Sequence, residues 1–238
     1  MIQLYNYTHM QYFIANWKAH HDIKSTAQWM NEFILYLNQD HDLTNLISQK
    51  QTTVIICPPL PLLSIMKEFF LKIPFIDLGV QDISIQSEGS FTGDVPITSL
   101  KDLAHYAILN HSERKKIHGE TNIDALQKFT FAQNNGIKTI YCVSENESFP
   151  QETDFLCFEP PEAISNGDGK GTFIDPKKVK AVRSTFILHP QTKFLYGGSV
   201  NEEDITLYAQ IPEIDGVLVG GASLNPKRFI SIIKQGIL

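Results

Sequence analysis

Short apolar runs of strand length recur along the chain, with stretches of helical spacing between them. The runs predict strands near residues 12–15, 53–57, 75–80, 104–109, 137–143, 154–158, 193–196 and 216–219. They are rich in Val, Ile, Leu and Phe and alternate only weakly, as strands covered on both faces do. Helical spacing is plainest over 26–38, where Trp29, Phe33, Ile34 and Leu37 share one face. Further helices are predicted over 59–71, 122–133, 176–187, 202–210 and 226–234. Pro176 and Pro226 take the first helical position, with Asp175 and Asn225 before them as N-caps.

Strand–helix alternation along the whole chain predicts a parallel α/β sheet, and eight repeats predict closure into a barrel. Periodicity alone also allows an open, doubly wound sheet. The ionisable candidates decide between them: Lys18, His111 and Glu159 each follow a strand, on the carboxyl-terminal rim where barrel sites lie. The length of 238 residues suits one such barrel and leaves no room for two ordinary enzyme domains. One connection is short. Cys142 and Glu159 are 17 positions apart, too close for a normal helix between the fifth and sixth strands. That helix is expected to be shortened or missing.

The formal net charge of −6 argues against nucleic acid or an anionic membrane as the main partner. An anionic ligand must then be attracted by local groups. Cys57, Cys142 and Cys157 form no C-x-x-C pair and sit in apolar runs, which suits buried free thiols in a reducing, cytoplasmic setting. No signal peptide is visible, no apolar run reaches membrane-spanning length, and no Cys/His cluster has metal-ligand spacing.

Each candidate also has an ordinary reading: a surface charge for Lys18, a satisfied core or capping group for His111, an ion-paired strand end for Glu159. Asn16 two positions before Lys18 changes the first, because residues i and i+2 of an extended strand point the same way. His111 precedes Ser112-Glu113-Arg114, a sequence suited to open a short helix whose N-terminus lowers an imidazole pKa. Glu159 is followed by Pro160-Pro161 and then Ser165-Asn166-Gly167-Asp168-Gly169-Lys170-Gly171, a rigid hinge leading into a glycine-rich lid. That stretch is neither a Walker loop nor a dinucleotide fingerprint, since the required residues and helix position are absent. Gly197-Gly198 and Gly220-Gly221 follow the last two strands, where barrels frequently hold phosphate on backbone amides.

Together Asn16-Trp17-Lys18, Asn110-His111-Ser112-Glu113-Arg114, Phe158-Glu159-Pro160-Pro161 and Tyr196-Gly197-Gly198-Ser199 resemble triosephosphate isomerase. Gly89-Ser90-Phe91-Thr92-Gly93-Asp94, Gly119-Glu120 and the segment from Asp215 to Leu224 extend the resemblance over nearly the whole chain. Members of the archaeal type share the trimmed fifth connection and Glu-Pro-Pro-Glu at the catalytic loop. The resemblance implies a single (β/α)8 TIM barrel over residues 1–238. It also implies a cofactor-free isomerase of dihydroxyacetone phosphate and D-glyceraldehyde 3-phosphate. By the same resemblance Glu159 is the general base, and His111 (a neutral imidazole, an assignment inherited from the family) and Lys18 stabilise an enediolate. Asn16 and Lys18 bind substrate. The amides of Ser165, Ser199, Gly220 and Gly221 grip phosphate, and Ser112 and Glu113 support the site.

Three positions depart from the family pattern. Asn110 stands where glycine is common, Ser165 replaces the first glycine of the lid, and Asp82 follows Gln81 in place of asparagine. Ser165 keeps open an isomerase of a four-carbon sugar phosphate. A non-catalytic sugar-phosphate binder is the reading from another class, and a base aimed at carbon argues against it. The resemblance further implies a homo-oligomer, at least a dimer, with Thr92 of the long loop supporting the neighbour's site. A tetramer is the larger option, on the expectation that a missing fifth helix leaves apolar barrel wall uncovered.

Overall fold

Along each strand the side chains divide between two cores. Ile14, Ile55, Ile108, Ile140, Phe155, Leu195 and Leu218 point into the barrel, together with Cys57, Cys142 and Cys157. Their neighbours, among them Phe13, Ala15, Val54, Ile56, Leu156 and Phe194, point outward against the helices. Both sets are buried, which explains the weak alternation. The computed structural model describes residues 10–71, 73–163 and 171–237.

The strands are β1 (Tyr12–Asn16), β2 (Thr53–Cys57), β3 (Ile76–Val80), β4 (Tyr106–Leu109), β5 (Lys138–Val143), β6 (Phe155–Phe158), β7 (Lys193–Tyr196) and β8 (Gly216–Val219). All pair in parallel and in sequence order, and β1 closes on β8 with Phe13 beside Val217. The open-sheet alternative is thereby excluded. β3 gives the barrel interior Gly79, whose missing side chain leaves room for Cys57, since a Cβ would lie 2.6 Å from its sulfur.

The helices are α1 (Ile23–Gln39), α2 (His41–Ser48), α3 (Leu63–Phe70), α4 (Ser112–His118), α5 (Asn122–Asn134), α6 (Pro176–Arg183), α7 (Ile205–Ala209) and α8 (Pro226–Gly236). α1 begins earlier than its apolar face indicates, because Asp22 and Ser25 form a capping box. Pro176 and Pro226 start α6 and α8, capped by Asp175 and Asn225 as expected. α3 is preceded by a 3-10 turn over Leu60–Leu62. α6 and α7 are shorter than their predicted spans, and α2 falls where no helix was expected.

The eleven residues between β5 and β6 form two turns and irregular chain with no helix, so the fifth helix is missing. The wall it would cover is nevertheless closed, contrary to the expectation from sequence. Tyr141, Val143, Leu156 and Phe158 are each at most 2% exposed. Phe149, from the short connection itself, packs edge-on against Phe186, which contacts Phe158 and Phe194. Phe129 of α5 packs against Tyr141. A few aromatic rings thus bury what a helix normally would.

Candidate active site

The carboxyl-terminal ends of the strands open onto a cleft of about 1670 Å³ that continues beneath the long loop after β3. Asn16, Lys18, His111, Glu113, Glu159, Ser199, Gly220 and Gly221 all line it. Ser112 does not line this cleft, but its backbone amide bonds Glu159 from the side of α4. Ser165 lies outside the described residues. Thr92 sits at the exposed tip of the long loop, next to Phe91, which is 43% exposed.

β1 ends at Asn16, and Trp17 turns inward to stack edge-on with Trp29 of α1. That buried ring fixes the turn carrying Lys18. Lys18 itself has φ of 50°, so the extended i, i+2 geometry expected from sequence does not hold. The strain of a left-handed lysine is held from both sides. Its amide donates to Asn16 Oδ1 at 3.0 Å, and its carbonyl accepts from Gln81 Nε2 at 2.9 Å. Gln81 also donates to the Cys57 carbonyl, joining the tips of β1, β2 and β3. The lysine Nζ then reaches Glu113 Oε1 at 2.6 Å.

His111 caps α4 with its own ring: Nδ1 accepts the Glu113 amide at 3.2 Å. An accepting Nδ1 assigns the proton of the neutral ring to Nε2. Nε2 lies 2.9 Å from Glu159 Oε1 and 3.4 Å from Asn16 Nδ2. Glu159 Oε2 accepts the Ser112 amide at 3.1 Å. Both carboxylate oxygens are therefore engaged, although Glu159 is 4% exposed.

Burial raises the Glu159 pKa, but the adjacent His111, the Ser112 amide and Lys18 lower it further, so the group stays an anion. For His111, burial lowers the pKa while the Glu159 carboxylate and Glu113 raise it, and the net direction is upward. The lowered value expected from the helix N-terminus does not hold in this arrangement. The cause is specific: a carboxylate rests against the ring, and it raises the pKa only while it stays there.

Gly197 makes that placement possible. A Cβ there would lie 2.5 Å from the Cys157 sulfur and 3.1 Å from the Glu159 Cγ. The motif flagged as a phosphate turn thus also clears space for the carboxylate. A 3-10 turn over Gly221–Leu224 opens directly after β8 and presents its start to the cleft. Burial raises the thiols of Cys57, Cys142 and Cys157, leaving three unreactive groups beneath the site. Asp82 lies 2.9 Å from Arg114 and 2.6 Å from Lys128, joining the ion cluster that includes Glu120.

Two further contacts escaped the sequence reading, which marked Asn110 only as a departure from the family pattern: that of Gln81 with the Lys18 carbonyl, and that of the Asn110 amide with Glu147. Asn110 adopts φ of 59°, so the non-glycine residue fills a left-handed position that asparagine tolerates. Neither interaction carries a local sequence signal, because the partners stand 63 and 37 positions away.

The fold and rim define a parallel eight-stranded barrel with an ionised carboxylate, an imidazole and an ammonium converging on one cleft. The family model for triosephosphate isomerase matches residues 11–154 and 147–236, and the chain belongs to that family. It is 32% identical to the triosephosphate isomerase of Dictyoglomus thermophilum, covering 93% of this chain and 97% of that one. Identity to the Thermus thermophilus enzyme of the same name is 29%, over 92% and 96% of the two chains. For the Vibrio vulnificus protein it is 34%, over 67% and 74%.

Proposed function

We propose that this protein interconverts dihydroxyacetone phosphate and D-glyceraldehyde 3-phosphate, a step of glycolysis and gluconeogenesis. The observation that carries the reading is the ionised Glu159 held against His111 in a cleft that also contains Lys18. Glu159 leaves His111 and the Ser112 amide, removes a proton from the carbon beside the carbonyl, and returns it to the neighbouring carbon. His111 Nε2–H donates to the developing enediolate oxygen and relays the proton that passes from the hydroxyl oxygen to the former carbonyl oxygen, and Lys18 balances the charge. With the carboxylate gone from the ring, the main group raising the His111 pKa goes with it, which favours the neutral donor. Asn16 orients the substrate. The amides of Ser199, Gly220, Gly221 and the lid's Ser165 hold the phosphate, and Glu113 steadies Lys18.

A coupled assay tests this: consumption of D-glyceraldehyde 3-phosphate, with product read through a dihydroxyacetone phosphate-dependent dehydrogenase. Turnover of the triose phosphate is expected, well above that of a four-carbon ketose phosphate. Inactivity on both would overturn the reading.

The reading extends to assembly. The exposed tip with Phe91 and Thr92 supports a homodimer in which that loop packs against a second copy. The covered β5–β6 wall removes the argument for a tetramer. Three buried free cysteines suit a reducing compartment such as the cytoplasm.

A further inference from the structure

The residue before His111 is tied to the connection that replaces the fifth helix. Asn110, 1% exposed, donates from Nδ2 to the Cys142 carbonyl at 2.7 Å and to Glu147 Oε1 at 3.0 Å. Both acceptors lack a proton to give, so the amide nitrogen must face them and a carboxylate could not substitute. The Asn110 Oδ1 atom is buried without a partner among the described residues, a cost that glycine at this position would not carry.

Glu147 gathers further donors. Lys115 Nζ lies 2.6 and 2.8 Å from its two oxygens, and the Ser144 amide and hydroxyl bond Oε2 at 3.0 and 3.1 Å. Burial raises the Glu147 pKa, yet Lys115, Ser144 and Asn110 together lower it further, so the carboxylate is charged. Lys115 stands one helical turn beyond His111 on α4, and its amide bonds the His111 carbonyl. The network therefore grips His111 from both sides in sequence, at Asn110 and at Lys115, and fixes both to the end of β5. The α4 amides it holds in place are the ones that bond the His111 ring and Glu159.

We propose that Asn110, Glu147 and Lys115 form a positioning clamp that sets the orientation of the His111 imidazole. The clamp rests on the isomerase reading for its consequence in catalysis, and on geometry alone for its effect on the ring. It touches no substrate. Loosening it displaces the Nε2 donor from the enediolate oxygen without removing any group that binds phosphate, so the cost falls on turnover.

Two variants test the clamp, Asn110→Gly and Glu147→Gln. Glycine accepts the left-handed backbone and glutamine keeps the size of the side chain, so both retain the fold, which a thermal melt verifies. The expected result is a fall in kcat of about tenfold, the scale of a sub-ångström misplacement, with KM within about twofold of the parent. The ring nitrogen NMR signals of His111 should shift in both variants, with no substrate present. A kcat within about twofold of the parent, or a loss shared equally with KM, overturns the clamp. Unchanged His111 signals overturn it as well. Should the parent protein prove inactive as an isomerase, the NMR signals alone decide the clamp, separately from the function.

Discussion

Glu159 Oε1 lies 2.9 Å from His111 Nε2, with both side chains buried. The carboxylate is parked there: its oxygens are occupied, and to serve as the proposed base it must give up two hydrogen bonds before it reaches a carbon atom. The same contact keeps it ionised until then.

Replacing the proposed base should separate binding from chemistry. Glu159→Gln is expected to lower kcat by ~10²–10⁴ or more, while inorganic phosphate and substrate-like phosphates still bind. Glutamine is the right size but cannot take a proton from carbon. Retention of more than about a tenth of parental activity would falsify the assignment of Glu159 as the base.

Lys18→Ala should damage binding and turnover together, because in the proposed mechanism one ammonium serves both an anionic substrate and the developing enediolate. It also leaves Glu113 without its 2.6 Å partner beside the cleft, adding repulsion toward an anion. The test is steady-state kinetics at moderate salt. An unchanged KM and kcat would return Lys18 to the status of a surface charge.

The Glu159–His111 pair should shape stability against pH in the ligand-free protein. The Glu159 pKa is depressed, so its contribution is complete above the ordinary value of 4.5 and is lost as pH falls through the folded value. The His111 pKa is raised, so its contribution is complete below 6.5 and is lost as pH rises through the folded value. The pair is thus most stabilising between those two limits. Thermal midpoints of the parent and of His111→Gln, compared from about pH 4 to about pH 8, should differ most inside that window. A difference that is constant with pH counts against the pair.

Assembly is checked by light scattering at micromolar concentration. A dimer is expected, since the long loop otherwise exposes Phe91 at its tip. Full activity from a species at the 26.9 kDa chain mass removes the dimer.

The strands were legible because each is a short apolar run buried on both faces, and the caps at Asp175 and Asn225 carry their own local chemistry. α2 was missed for a physical reason. It begins one residue after α1, with Asp40 closing one helix and capping the next, so no loop signal separates them. The convergence of the candidate residues on one cleft was readable from strand ends, but their electrostatic state was not. The left-handed turn at Lys18 depends on Gln81, and the raised His111 pKa depends on where Glu159 rests. Phe149 reads as a loop residue until Phe186 is seen beside it.

The trimmed connection after β5 also bears on how the chain reaches its fold. Parallel neighbours ordinarily wait for a crossover of a dozen or more residues to form. Here an eleven-residue connection without a helix brings β6 alongside β5, with Cys142 beside Cys157 and Val143 beside Phe158. Closing so short a loop costs little chain entropy, whereas β1 and β8 must meet across almost the entire polypeptide. The β5–β6 pair, sealed by Phe149, therefore closes at a far smaller cost in chain entropy than the seam between β1 and β8. Glu159 follows the strand pair with the short closure, whereas Lys18 follows β1, whose pairing with β8 spans almost the whole chain.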